Sequence, residues 1–193
     1  MMQNKTKNLT TLALLSALLV MLALTPLGFL QVGPVRLTFI HLPVIVGGIL
    51  LGTKGGMTMG FIFGLASLWT NTMAPSLLSF MFSPFIPLPG TTQGSLWAII
   101  ICFGPRIVLG FLSGYLYDKG FKGFKLGVCV TLVHTTLVFG GMLLFFAPVL
   151  QEVLHVSVSG LFMFLGTLLL TNAIPEAFTA GFITKYSVPR DHK

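Results

Sequence analysis

Charge in this sequence is confined to short islands: none occurs between Lys7 and Arg36, between Lys54 and Arg106, or between Lys125 and Glu152. A soluble domain carries roughly 25% charged residues. This 193-residue chain has 8%, against a hydrophobic fraction of 54%. So few charges cannot cover a folded sphere, and lipid is the solvent for most of the chain. A membrane-spanning helix takes about 20 residues, so six take roughly 120. Only short connections are left over. The expectation is an all-α integral membrane protein, a single domain over residues 1–193.

Six spans are expected. The first runs from Leu9 to Leu30, with Pro26 near its outer end; it is too long for a signal-peptide core and reads as a retained helix. A turn with Gly33, Pro34 and Arg36 leads to span two, Leu37 to Gly52, and Lys54 marks the next turn. Span three covers Gly56 to Trp69, and a long loop, Thr70 to Ser95, carries Pro75, Pro84, Pro87 and Pro89. Span four is Leu96 to Tyr117, followed by a turn, Asp118 to Lys125. Span five is Leu126 to Leu150, ending near Pro148, and span six is Val156 to Tyr186, with Pro175 inside it.

The positive residues sort by side. With six crossings, Lys5, Lys7, Lys54, Lys119, Lys122, Lys125, Lys185, Arg190 and Lys193 fall on one face and Arg36 on the other, with Arg106 inside a span. Cytoplasmic connections collect Lys and Arg, so both termini are expected in the cytoplasm and the 70–95 loop outside. Spans two and three are short enough to be re-entrant, but that would sink Lys54 to membrane depth at a cost, which favours two short tilted spans. The net charge of +7 is thus a topology signal, not a nucleic-acid surface. Cys102 and Cys129 lie in apolar runs and read as small buried residues.

Arg106 is the most informative position. It lies about ten residues into its span, roughly 15 Å from water by helical rise, where a charge costs at least about 2.5–3.5 kcal/mol. Either it grips an anionic ligand, as a guanidinium grips a carboxylate, or it pairs with Glu176, or it bonds carbonyls freed near Pro105. Glu176 is the one acidic residue within a span and is either a structural partner or a proton- or substrate-linked group. Asn172 lies four residues before Glu176 on one helix face, beside the kink expected at Pro175. That polar face is either a cavity wall or interhelical glue. His134 in span five is a packing residue or a ligand contact; His and acidic residues are too scattered for a metal site. The uncharged 70–95 loop, with Phe80, Phe82 and Phe85 next to Trp69 and Asn71, is expected to fold over a cavity mouth, unless it forms an interfacial aromatic belt.

Small residues recur every four positions: Ala13 and Ala17 in span one, Gly56, Gly60 and Gly64 in span three, Gly110 and Gly114 in span four. Such faces let helices approach closely, most simply within the protein itself. The sequence has no Walker A motif, no carboxylate pair suited to Mg²⁺, no His-Glu-x-x-His and no Gly-x-Ser-x-Gly. An intramembrane enzyme would have few groups to work with.

Several segments together are family-like: Phe39-Ile40-His41-Leu42-Pro43-Val44-Ile45-Val46-Gly47-Gly48-Ile49-Leu50-Leu51-Gly52, Phe63-Gly64-Leu65-Ala66-Ser67, Ser79-Phe80-Met81-Phe82-Ser83-Pro84, Pro105-Arg106 and Asn172-Ala173-Ile174-Pro175-Glu176. With the six-span plan and the Ala13-x-x-x-Ala17 face, the chain resembles the substrate-binding S components of energy-coupling factor vitamin transporters, pantothenate type. The resemblance covers nearly the whole chain. It implies a multi-pass subunit of the cell membrane that binds a vitamin from outside. The subunit joins a transmembrane coupling subunit, which Ala13 and Ala17 would face, and two cytoplasmic ATPases that use ATP. It then topples to release the vitamin inside. No cofactor or metal is implied for this chain. For pantothenate, Arg106 would take the carboxylate, Asn172, Asn71 and His134 the amide and hydroxyls, and Phe82, Phe85 and Trp69 the apolar parts. An S component for a pyridoxine-like, pyrimidine-like or folate ligand, or an autonomous secondary transporter, are the alternatives.

Overall fold

The structure, a computed structural model, describes residues 2–25, 28–32 and 35–187. In lipid, backbone N–H and C=O groups must be satisfied within the segment, which makes apolar runs helical. Five helical segments are long and apolar enough to cross a membrane: Lys5–Leu24, Leu42–Met73, Trp97–Asp118, Phe124–Leu154 and Val158–Ser187. The architecture is that of a helical membrane protein. The elements are α1 (Met2–Leu24), β1 (Phe29–Val32), β2 (Val35–Thr38), α2 (Leu42–Met73), a 3₁₀ turn (Ser79–Met81), α3 (Trp97–Asp118), α4 (Phe124–Leu154), α5 (Val158–Leu168), a π turn (Leu169–Ala173) and α6 (Ile174–Ser187).

The departure from an all-helical chain is the antiparallel pair β1–β2, in which Leu30 faces Leu37 and Gln31 faces Arg36. It corrects the expected spans one and two. The first helix stops at Leu24, not Leu30, and the second begins at Leu42, not Leu37. The sequence reasons are local. Thr25 precedes a proline, which disfavours helical backbone. Pro43 is well placed in the first turn of a helix that starts one residue earlier. Pro26, Gly33, Pro34 and the tail from Pro189 through Arg190 to Lys193 lie outside the described residues.

α2 is not one straight rod. Gly52 has φ 73° and ψ −175°, a conformation reserved to glycine. Along a straight helix Gly48 and Gly56 would be about 12 Å apart. Yet a Cβ built on Gly56 would lie 2.9 Å from Gly48 Cα, and one on Gly47 would lie 2.7 Å from Met59 Cγ. The chain therefore doubles back at Gly52, with residues 42–51 packed antiparallel against 53–73 and Lys54 exposed beside the reversal. The second arm continues to Met73, four residues past the expected end at Trp69, so Asn71 sits in its last turn and not in a loop. The helix before the π turn and α6 form one long run, and the π turn falls just before Pro175, which has no N–H to give the Thr171 carbonyl. Pro148 lies within α4, which runs on to Leu154 instead of ending near residue 150.

The glycine faces are used inside the molecule. A Cβ on Gly56 would collide with the Gly110 carbonyl, one on Gly110 with the Gly56 carbonyl, and one on Gly60 with the Arg106 carbonyl. α2 and α3 thus touch backbone to backbone, the most extensive helix contact in the fold. Ala13 and Ala17, by contrast, are exposed on α1. Two apolar cores result. One gathers Leu19, Ile45, Met59, Phe63 and Leu109. The other gathers Phe80, Met81, Ile101, Phe146 and Leu161, so the segment after α2 is plugged into the body by its own aromatic turn.

Gly110→Val is expected to lower the melting temperature of the detergent-solubilised protein strongly, by overpacking worth about 1–3 kcal/mol or more. Gly104→Ala on the same helix, where a Cβ meets nothing within 4 Å, should leave it unchanged or raise it slightly. Equal effects would contradict the seam.

Candidate functional site

The site is built around a helical carbonyl left without its partner. Pro105 lies inside α3 and cannot donate to the carbonyl of Ile101. The next side chain fills the gap. A helical side chain leans back toward the N-terminus of its helix, and Arg106 Nη1 donates to the Ile101 carbonyl at 3.0 Å and to the Cys102 carbonyl at 2.7 Å. Across the glycine seam, Arg106 Nη2 donates to Ser67 Oγ of α2 at 2.9 Å. The guanidinium carbon lies 4.9 Å from the ring centre of Phe63 and 5.3 Å from that of Phe82, within range of cation–π attraction. The residue is only 7% exposed. A guanidinium carries five N–H donors. Three are used in these bonds, and Nε has no hydrogen-bond partner.

The guanidinium borders a chamber. A cavity of about 1090 Å³ is lined by Arg106 and Ser67, by His134 and Thr135 of α4, by Asn172, Ala173 and Glu176, by Trp69 and Asn71 at the end of α2, and by Phe82. It lies where the two apolar cores meet, with Phe63 from one and Val138 and Phe139 from beside the other in its wall. Ligand cavities typically measure about 300–1,000 Å³, mostly apolar with a few placed polar groups. This one is slightly larger than that range and of that composition. His134 Nε2 is buried in it without a hydrogen-bond partner.

Of the residues expected from sequence, Arg106, Asn172, His134, Asn71, Phe82 and Trp69 are brought to this one cavity. Phe85 is not. It is 71% exposed, because the chain turns outward at Pro84 after the buried 3₁₀ turn and Ser83. Arg106 and Glu176, whose depths along their helices differ, nevertheless share the cavity wall. Asn71 does more than line it: its Nδ2 donates to the Ser67 carbonyl at 2.8 Å and Ser67 Oγ at 3.3 Å, and its Oδ1 accepts from Ser79 Oγ at 2.8 Å. Ser67 and Phe63 were missed as site residues. The signal was present, since Phe63, Ser67 and Asn71 recur every four residues, but ending the third span at Trp69 cut that stripe. Among the described residues no group of three His, Cys, Asp or Glu side chains is placed to hold a metal.

A buried charge held by its own helix beside a mostly apolar cavity with a few placed polar groups, in a bundle of membrane helices, describes a membrane subunit that binds a small solute. The sequence profile of the ECF transporter, substrate-specific component, matches residues 7–188, and the chain belongs to that family. Among its relatives, the pantothenic acid transporter PanT of Lactococcus lactis subsp. cremoris is 34% identical over 194 residues, covering 98% of this chain and 95% of that protein. The pantothenate transporter PanT of Leuconostoc mesenteroides subsp. mesenteroides is 31% identical over 134 residues, 66% of this chain and 58% of that protein. The chain is thus a multi-pass membrane protein and a substrate-specific transport component.

The Pro105–Arg106 clamp makes a non-additive prediction. In Arg106→Met the Ile101 carbonyl loses its partner, and adding Pro105→Ala returns a backbone N–H, expected to recover about 1 kcal/mol in thermal unfolding. Pro105→Ala alone should gain less, because Arg106 already serves that carbonyl. Additive effects would refute the clamp.

Proposed function

We propose that this chain is the pantothenate-binding S component of an ECF importer in the cell membrane. The observation that carries the reading is the guanidinium of Arg106, held in place by Ile101, Cys102 and Ser67 and bordering a 1090 Å³ cavity. The ligand of the two PanT relatives adds to it. Pantothenate is a small acid with one carboxylate, an amide, two hydroxyls and a gem-dimethyl group. The carboxylate meets Arg106, Asn172 and His134 serve the amide and hydroxyls, and Trp69 and Phe82 cover the apolar part. Asn71 contributes by holding Ser67.

The reversal at Gly52 supports a count of six passes. Both termini then lie in the cytoplasm together with Lys5, Lys54 and the Lys119, Lys122 and Lys125 turn. The cavity mouth, near the ends of α1 and α2, opens to the outside. Vitamin bound there is delivered inward when the chain engages a transmembrane coupling subunit powered by two ATPases; this chain hydrolyses no ATP. Ala13 and Ala17 suit that engagement: both are exposed, whereas the glycine faces are consumed internally, and small side chains permit close helix approach.

Calorimetry on the purified protein tests the site. Arg106→Ala should still insert into the membrane and lose at least about tenfold in pantothenate affinity, or about 1.4 kcal/mol; unchanged binding would remove Arg106 from the site. The docking face is tested separately. Ala13→Trp or Ala17→Trp should leave affinity intact and block uptake in cells that carry the coupling machinery, and normal uptake by either variant would refute the assignment.

A further inference from the structure

The hydrogen bonds of the site do not stop at its wall. Donors run from the segment after α2 as far as Ser67, where they meet the hydrogen bond that Arg106 donates from the other side. The backbone N–H of Ser76 donates to Ser79 Oγ at 2.9 Å. Ser79 Oγ donates to Asn71 Oδ1 at 2.8 Å. The amide of Asn71 donates to Ser67 Oγ at 3.3 Å, and that oxygen also accepts from Arg106 Nη2 at 2.9 Å. Ser79 is 1% exposed and is not part of the cavity wall. The same 3₁₀ turn buries Phe80 and Met81 in the second core and places Phe82 over the guanidinium.

A second serine of that segment makes a comparable anchor whose hydrogen bonds do not reach the arginine. Ser83 Oγ lies 2.7 Å from Thr72 Oγ1, and Thr72 Oγ1 donates to the Leu68 carbonyl at 2.7 Å. The segment is therefore tied to α2 twice, once through a chain that ends on Arg106 and once through a chain that ends in the helix backbone.

We propose that Ser67, Asn71 and Ser79 form a positioning relay, in which seating of the 79–82 turn and the orientation of the Arg106 guanidinium are a single equilibrium. Ser67 and Ser79 are then positioning residues for ligand binding, although Ser79 touches no ligand. A ligand that engages Arg106 stabilises the seated turn, and a seated turn holds Arg106 ready for a ligand. This rests on the reading of Arg106 as the ligand's anchor.

The full-length protein in detergent or nanodiscs tests the relay in two arms. In the first, pantothenate binding is measured on Ser79→Ala and Ser83→Ala. Loss of one hydrogen bond in the relay should weaken affinity about threefold to tenfold, mostly through faster dissociation, while Ser83→Ala, which loosens the segment but breaks no relay bond, should weaken it clearly less than Ser79→Ala does. Equal losses in the two variants would show simple anchoring of the segment and overturn the relay. The second arm needs no ligand. Arg106→Met removes the donor to Ser67, and amide hydrogen exchange in residues 79–83 should quicken at least about fivefold relative to the unmodified protein. Unchanged exchange would overturn the coupling. Failure of the unmodified protein to bind pantothenate would sink the ligand assignment alone, because the exchange arm still decides the relay.

Discussion

Everything in this fold turns on how a cation is kept in the apolar interior. Insertion of an arginine near the middle of a membrane helix costs at least about 2.5–3.5 kcal/mol. A hydrogen bond to a charged group returns about 1.5–3 kcal/mol, and Arg106 makes three, to Ile101, Cys102 and Ser67. Pro105 makes the first of these possible, because an ordinary residue there would have claimed the Ile101 carbonyl for the backbone. The defect in the helix and the charge beside it are one device. The helix supplies the acceptors that its own proline has released, and the charge is fixed in direction without an acidic partner being needed for these bonds.

The glycine seam follows from the same requirement. Ser67 can reach Arg106 only if α2 and α3 lie backbone to backbone, and Gly56, Gly60 and Gly110 make that approach possible where any Cβ would collide. The reversal at Gly52 brings residues 42–51 back along the second arm, so the short helix packs against the seam and does not run away from it. Two small-residue patterns that look alike in sequence thus have different fates. The glycines are spent on internal contact, and the alanines of α1 remain on the outside.

Much of this was legible in the sequence, for physical reasons. Apolar runs mark membrane helices because lipid leaves the backbone no other partner, and Arg106, Asn172 and His134 stood out because polar groups are rare in such runs. The family resemblance is upheld by the match over residues 7–188. What was not legible depended on boundaries and on direction. Apolar periodicity could not tell that residues 29–32 and 35–38 pair as strands, since a short apolar run suits either state. Ser67 was not legible as a partner of Arg106, because the contact exists only where the glycine seam brings α2 against α3. Phe85 was grouped with Phe82 by composition, and only the outward turn at Pro84 separates them.

The most direct measurement is a comparison of two ligands that differ at one group: pantothenate and its alcohol analogue, in which the carboxylate is replaced by a hydroxymethyl group. If the guanidinium of Arg106 is held in wait for an anion, the unmodified protein should bind the acid at least about a hundredfold more tightly than the alcohol, the worth of a charge-assisted bidentate contact of about 3 kcal/mol. Equal affinities would mean that the arginine serves the helix alone and that the ligand is recognised by other groups.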